Sequence, residues 1–275
     1  MKIDLSLRSE TWLYGLLGAA VLAVFAIDLS VPLGTAVWVI YLVPTVLAYL
    51  AARPQVPLVV AAAVTVLVIA GFLVPHAGID PDVARLNRAM GVATVWVLAL
   101  TGYFFIRNKL AVRAQDWLQA GHVQLSRHIA GELELPDLGR EVVTFLAKYL
   151  GAQAGAFYAR NGDRFTRIGT FGVPVDAKVP VEFTAGDGML AQVVSDDQIT
   201  VISSVPEGYL YFGSGLGRGK PAGLLLAPTH ADDAVNGVIE LGFAGAPPAG
   251  HIELIGRVAD AIGIAIRSAQ YRTRL

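Results

Sequence analysis

Four apolar runs dominate the first hundred residues, at 12–29, 35–52, 57–75 and 87–106. Each is close to the ~20 residues a helix needs to cross a ~30 Å hydrocarbon core. Lipid offers backbone groups no hydrogen-bond partner, so helix is the form expected for such segments. The first run lacks a small-residue cleavage site followed by a polar start, and a second run comes next; it reads as a span, not a cleaved signal. The expectation is an α-helical membrane bundle of four spans over residues 1–106.

Charge divides the chain at the same place. Residues 1–106 hold five Lys/Arg and five Asp/Glu, against sixteen and seventeen in 107–275. Lys2, Arg8, Arg53, Arg107, Lys109 and Arg113 fall on one side of the spans, and Arg85 and Arg88 on the other. The bias predicts a multi-pass protein of the cytoplasmic membrane with the lipid bilayer as partner and both termini in the cytoplasm. A net charge of −1 gives no basic footprint for nucleic acid. The absence of cysteine excludes disulfides, thiolate metal sites and a cysteine nucleophile.

Polar residues inside or beside apolar spans are candidates for a sensing site. Asp28, His76 and Arg88 are expected near the same outer membrane surface and form the membrane candidate site. The competing reading makes them interfacial residues at helix ends, in contact with headgroups and water. Thr35, Tyr41 and Thr45 line the second run, which Pro44 is expected to bend. No matched pair of broken helices and no row of ionisable groups marks a transport path. A sensor or an anchor fits better.

Residues 107–135 read as a helical connector leaving the fourth run. Ala114, Leu118, Gly121, Leu125 and His128 step by four and three, a heptad-like seam. His122 and His128 are six apart and do not share a helical face, so no metal site is expected there. Neither sits in a kinase phospho-acceptor sequence. Pro136 is placed to open a new helix over about 136–149.

Beyond Gly151 the period changes. "AGAFYAR" and "RFTRIGTFG" flank the turn "NGD" as a hairpin. A short helix follows Gly186 and Asp187, with Asp187 as its cap. "QITVISSV", "AGLLLAPTH" and "AVNGVIELGFA" supply three more strands, the last two joined tightly through "ADD". A helix from about 249 to the end carries Ile255, Val258, Ile262, Ile266 and Ala269 as its apolar stripe. The expected fold is α+β, an antiparallel sheet with helices on one face. His230 and His251 fall beside tight connections and are expected in solvent.

The blocks "GAQAGAFYARNGDRFTRIGTFG", "FTAGDGMLAQVVSDDQITVISSVPEGY", "LLLAPTHADDAVNGVIELGF" and "IELIGRVADAIGIAIRSA" resemble a GAF domain, over about 136–272. The version is that of membrane-anchored bacterial sensor histidine kinases, and "DLSVPLGTAVWVIYLVPTVLA" resembles their four-span input region. The resemblance implies a sensory module, 136–275 being a GAF domain ending in an output helix. It implies a parallel homodimer through Ala114, Leu118, Leu125, Ile255, Ile262 and Ile266, relaying a signal to a kinase domain. This chain holds no kinase histidine box, ATP-binding glycine box or cyclase motif, so it reads as the non-enzymatic input part of a longer protein. The alternatives are the input of a nucleotide cyclase, or a non-sensing anchor and dimerisation module.

The resemblance also implies a ligand pocket between the sheet and its long loops, with Tyr158, Phe171, Phe183, Tyr209, Tyr211, Phe212 and Ser214 as candidates. The competing reading is that these aromatics fill the core. The cofactor stays unknown. Thioether-linked bilin is excluded for want of cysteine, and the signature of cyclic-nucleotide-binding members is missing. The glycine-rich stretch 213–221 is no phosphate loop: Ser214 stands where a P-loop needs its first glycine, and Pro221 where it needs Ser or Thr. It is expected as a flexible loop leading into the next strand.

Overall fold

The computed structural model describes residues 3–31, 35–73, 81–174, 177, 179–184, 186, 188–203, 205, 212–214 and 217–273. The chain divides into two compact units, Met1–Arg113 and Ala114–Leu275.

The first unit is built from α1 (Ile3–Ser30), a broken segment, α3 (Val56–Leu73) and the first part of α4 (Pro81–Ile129). These three helices are long and apolar enough to cross a membrane. The second apolar run is not a fourth such helix. It consists of a 3-10 turn (Val37–Tyr41), a short α2 (Leu42–Leu47) and another 3-10 turn (Ala48–Leu50). Pro44 inside α2 removes a backbone donor, and Ala51 is already extended. At the rises of these forms the segment covers about 25 Å, short of the ~30 Å core.

The inward stripes of this unit follow helical spacing: Leu17, Val21 and Val24 on α1, Val60, Val64 and Val68 on α3, Val95 and Ala99 on α4. The broken segment lies against α4. Trp38 Nε1 donates to Asn87 Oδ1 (2.9 Å) and Tyr49 Oη to the Leu98 carbonyl (2.5 Å). Gly91 and Gly102 admit those two rings, since a Cβ at either would lie within 2.5 Å of ring atoms.

The second unit is an antiparallel sheet in the order β3-β2-β1-β8-β7-β4. The strands are β1 (Ala154–Asn161), β2 (Arg164–Phe171), β3 (Glu182–Thr184), β4 (Thr200–Ile202), β7 (Gly223–Ala231) and β8 (Ala234–Phe243). β1, β7 and β8 are buried on both faces, which is why they read as near-continuous apolar runs. Phe157, Leu225, Ile239 and Leu241 face α5 (Leu135–Leu150), α7 (Ala249–Thr273) and the end of α4. Ala156, Tyr158, Leu224, Leu226 and Val238 face the other way, toward Leu190, Ala191 and Val193 of α6 (Gly188–Asp196). The helices therefore cover both faces, not one. Asp232 and Asp233 adopt φ of 53° and 56° between β7 and β8, the left-handed pair that a two-residue hairpin turn needs. α5 opens with Pro136 in its first turn and stops at Gly151 in the left-handed region.

Two sequence expectations change here. The seam residues Leu118 and Leu125 of α4, with Ile255, Ile262 and Ile266 of α7, are all buried in the core of their own unit. These residues are taken up within their own unit; of the expected seam, Ala114 and His128 stay exposed. The stretch expected as a flexible loop instead forms a small ladder, β5 (Phe212–Ser214) with β6 (Gly217–Gly219). The Phe212 ring lies over Gly219, where a Cβ would come within 2.4 Å of it.

Candidate functional site

In the first unit, the inward stripe of α1 continues one turn past Val24 to Asp28, which is 8% exposed. Arg88 lies on the stripe of α4 that also carries Ala84, Val95 and Ala99. Its guanidinium reaches both carboxylate oxygens of Asp28, at 3.1 and 3.3 Å, and donates to the Val68 carbonyl of α3 at 2.7 Å. Gly71 makes the room: a Cβ there would stand 2.6 Å from Asp28 Oδ2 and 3.2 Å from the guanidinium. Tyr41 is fully buried within electrostatic reach of the pair, and its hydroxyl has no hydrogen-bond partner among the described residues. The structure thus joins two of the three membrane candidates as an ion pair; His76 lies outside the described residues. Tyr41, one of the polar residues that line the second run, belongs with them. A charge pair away from water is favoured by bidentate geometry, and here the Val68 carbonyl takes one further guanidinium donor.

In the second unit, the candidates fall on different faces. Tyr158 and Phe183 pack edge to face at 5.2 Å, and Phe165 stacks on Phe183 at 5.0 Å. Phe212 packs against the same cluster. Phe171 does not: it packs with the core on the α5 and α7 side. A register shift between Phe157 and Tyr158 in the β1–β2 ladder precedes that position, so simple alternation does not carry over to it. Tyr209 and Tyr211 lie outside the described residues. Ser214 falls in β5, and its side chain lies outside the description.

The Tyr158 hydroxyl donates to the Pro180 carbonyl at 3.2 Å. Burial, then the Glu240 carboxylate, raise its pKa, while Arg167 opposes them. Glu240 is 2% exposed on this same apolar face. Sequence reading passed over it, although alternation with Val238 along β8 placed it there. Aromatic rings, a phenol and a carboxylate thus lie together, buried, on the α6 side of the sheet, where the rings belong to the core.

Residues 132–267 match the family model described as GAF domain. These residues are a GAF domain. Among solved structures, the chain is similar to the GAF domain of a phosphoenolpyruvate-protein phosphotransferase from Coxiella burnetii, with TM-score 0.48 and 15% identity over 57% of this chain and 97% of that one. It is also similar to the GAF domain of the Acinetobacter phosphoenolpyruvate-protein phosphotransferase (TM-score 0.47, 14% identity, 59% and 98% covered). A third is the A. aeolicus nlh2 GAF domain in an inactive state (TM-score 0.45, 19% identity, 56% and 98% covered). No curated protein matches the chain.

Two GAF histidines expected in solvent are engaged. His230 Nε2 lies 2.6 Å from Asp197 Oδ1, and Nδ1 lies 3.4 Å from Asp260 on α7. His251, in the first turn of α7, stacks between Trp117 of α4 (5.8 Å) and Phe243 of β8 (5.6 Å). Burial lowers its pKa, and its Nδ1 is buried without a hydrogen-bond partner among the described residues.

Proposed function

We propose that the chain is the sensory input module of a membrane-bound signal-transduction protein, of the histidine kinase type that the sequence resembles. The apolar unit would sit in the cytoplasmic membrane and the GAF domain in the cytoplasm. The chain itself would serve as input and not as catalyst. One observation carries this most. α4 is a single helix from Pro81 to Ile129. Arg88, near its start, belongs to the buried ion pair; Leu118 and Leu125, near its end, belong to the GAF core. A displacement of that helix is a change both units would register, the kind of two-state element a sensor needs.

The outside of the apolar unit supports the membrane location. Leu22, Val59, Val66, Leu73 and Val97 are each more than 60% exposed. In water, such a continuous apolar surface is a liability; in lipid it is the expected solvent contact. Homodimerisation belongs to the same proposal. With the inward stripe used up, the available face of α7 holds Ile264 and Tyr271, seven residues apart and both exposed.

The chain has no cysteine, so single introduced thiols report topology without background. In intact bacteria, Asp82→Cys should react with a membrane-impermeant maleimide and Gln55→Cys only after lysis. Equal labelling of both in intact cells contradicts the membrane topology.

A further inference from the structure

We propose that the groove between α1 and α3 holds one acyl chain of an anionic phospholipid, with Arg53 on its headgroup phosphate. The inference rests on the membrane location proposed above. The groove encloses about 910 Å³. Its walls are apolar, among them Leu17 and Val21 of α1 and Val60 and Leu67 of α3. Gly18 opens the α1 wall: a Cβ there would touch nothing within 4 Å.

Length and charge decide what fills it. The α3 wall runs from Val56 to Leu67, about 16 Å at helical rise. That is roughly half of a ~30 Å hydrocarbon core, the depth of a single leaflet. A transmembrane helix from a second copy would run on past it. The polar lining gathers at one end, in Tyr14, Arg53 and Gln55. Arg53 makes no ion pair among the described residues. The nearby acid, Glu10, accepts the Tyr14 hydroxyl at 3.3 Å. A guanidinium without an ion pair among the described residues, at the interfacial end of a leaflet-deep apolar groove, matches an amphiphile with one anionic head and an apolar tail. Phosphate is the group Arg binds in fork geometry, and the cytoplasmic leaflet supplies anionic lipid at that depth.

The test uses the full chain in nanodiscs of equal phosphatidylglycerol and phosphatidylcholine, extracted gently and weighed by native mass spectrometry. The expected result is one retained lipid per chain, phosphatidylglycerol favoured at least fivefold. Arg53→Gln should bring that preference to near one while a lipid is still retained. Gly18→Leu and, from the opposite wall, Ala63→Phe should each abolish retention with the melting temperature of the GAF domain unchanged. Equal retention of both lipids by the natural sequence overturns the proposal, as does retention unaffected by both groove-filling variants. A second copy that is lost on filling the groove, with no lipid bound, also overturns it. Alkaline extraction of the membrane fraction comes first. A chain released at high pH contradicts the membrane location itself; a chain that stays but holds no lipid contradicts the groove assignment alone.

Discussion

Arg88 holds Asp28 through both carboxylate oxygens, from a position sixty residues further along the chain. The pair closes α1 against α4, and the Val68 carbonyl ties α3 to the same guanidinium. Breaking such a pair from one side strands a buried charge, at a cost of about 3–5 kcal/mol. Arg88→Leu and Asp28→Leu should therefore each lower the thermal midpoint of the detergent-purified chain strongly. The double variant should recover most of the loss, because no charge is then stranded. Additive losses in the double-mutant cycle would show that the two residues do not act as a pair.

Gly71 faces the same carboxylate, with no space for a methyl group. Gly71→Ala should destabilise the first unit by about 1–3 kcal/mol, the usual range for overpacking. Asp28→Ala in the same chain should relieve the steric part of that loss. A melting temperature for Gly71→Ala equal to that of the natural sequence would place the carboxylate elsewhere.

His251 gives the GAF domain a pH dependence with a definite sign. Its pKa in the folded state is lowered by burial, so the unfolded chain binds the proton first as pH falls. The contribution of neutral His251 is complete above about pH 6.5, the ordinary histidine value. It is lost as pH drops below that value toward the lowered folded pKa. Urea unfolding followed through Trp117 fluorescence, with Trp12, Trp38 and Trp96 replaced by Phe, should show stability falling as pH drops below about 6.5. His251→Phe should flatten that slope. An unchanged slope would assign it to other groups.

Tyr158 separates ring from hydroxyl. Tyr158→Phe keeps the contact with Phe183 and loses the bond to Pro180, worth about 1 kcal/mol. Tyr158→Ala also opens a cavity in the core and should cost about 3–5 kcal/mol. Chemical denaturation of both variants checks the ratio. Similar losses would mean that the hydroxyl, not the ring, holds this face together.

Much of the second unit was legible in the sequence, because its signals are local. The β1–β2 hairpin, the "ADD" turn, Pro136 and the stripe on α7 are written within a few residues of one another. β3 was missed because it has three residues, and its pairing with β2 is a property of the sheet. The seam on α4 is legible, but spacing cannot say whether a stripe meets a second copy or the core of its own unit; Leu118 and Leu125 are buried in that core. In the first unit, Pro44 announced a bend in the second run, but hydropathy did not reveal that 3-10 turns stand on both sides of the short helix. Asp28 and Arg88 stood out as charges at the ends of apolar runs. That they pair needed the packing of three helices, and that Tyr41 joins them needed burial that periodicity does not report.

Hydrogen exchange of the full chain in nanodiscs tests most directly whether α4 carries a signal between the units. Asp28→Asn weakens the ion pair without touching the GAF domain. Amides of α4 around Leu118 and Leu125, and those of α5 packed with them, should exchange at rates different from the natural sequence. Unchanged exchange there, with altered exchange confined to residues before Arg113, would mean that the two units are joined by a helix but not coupled through it.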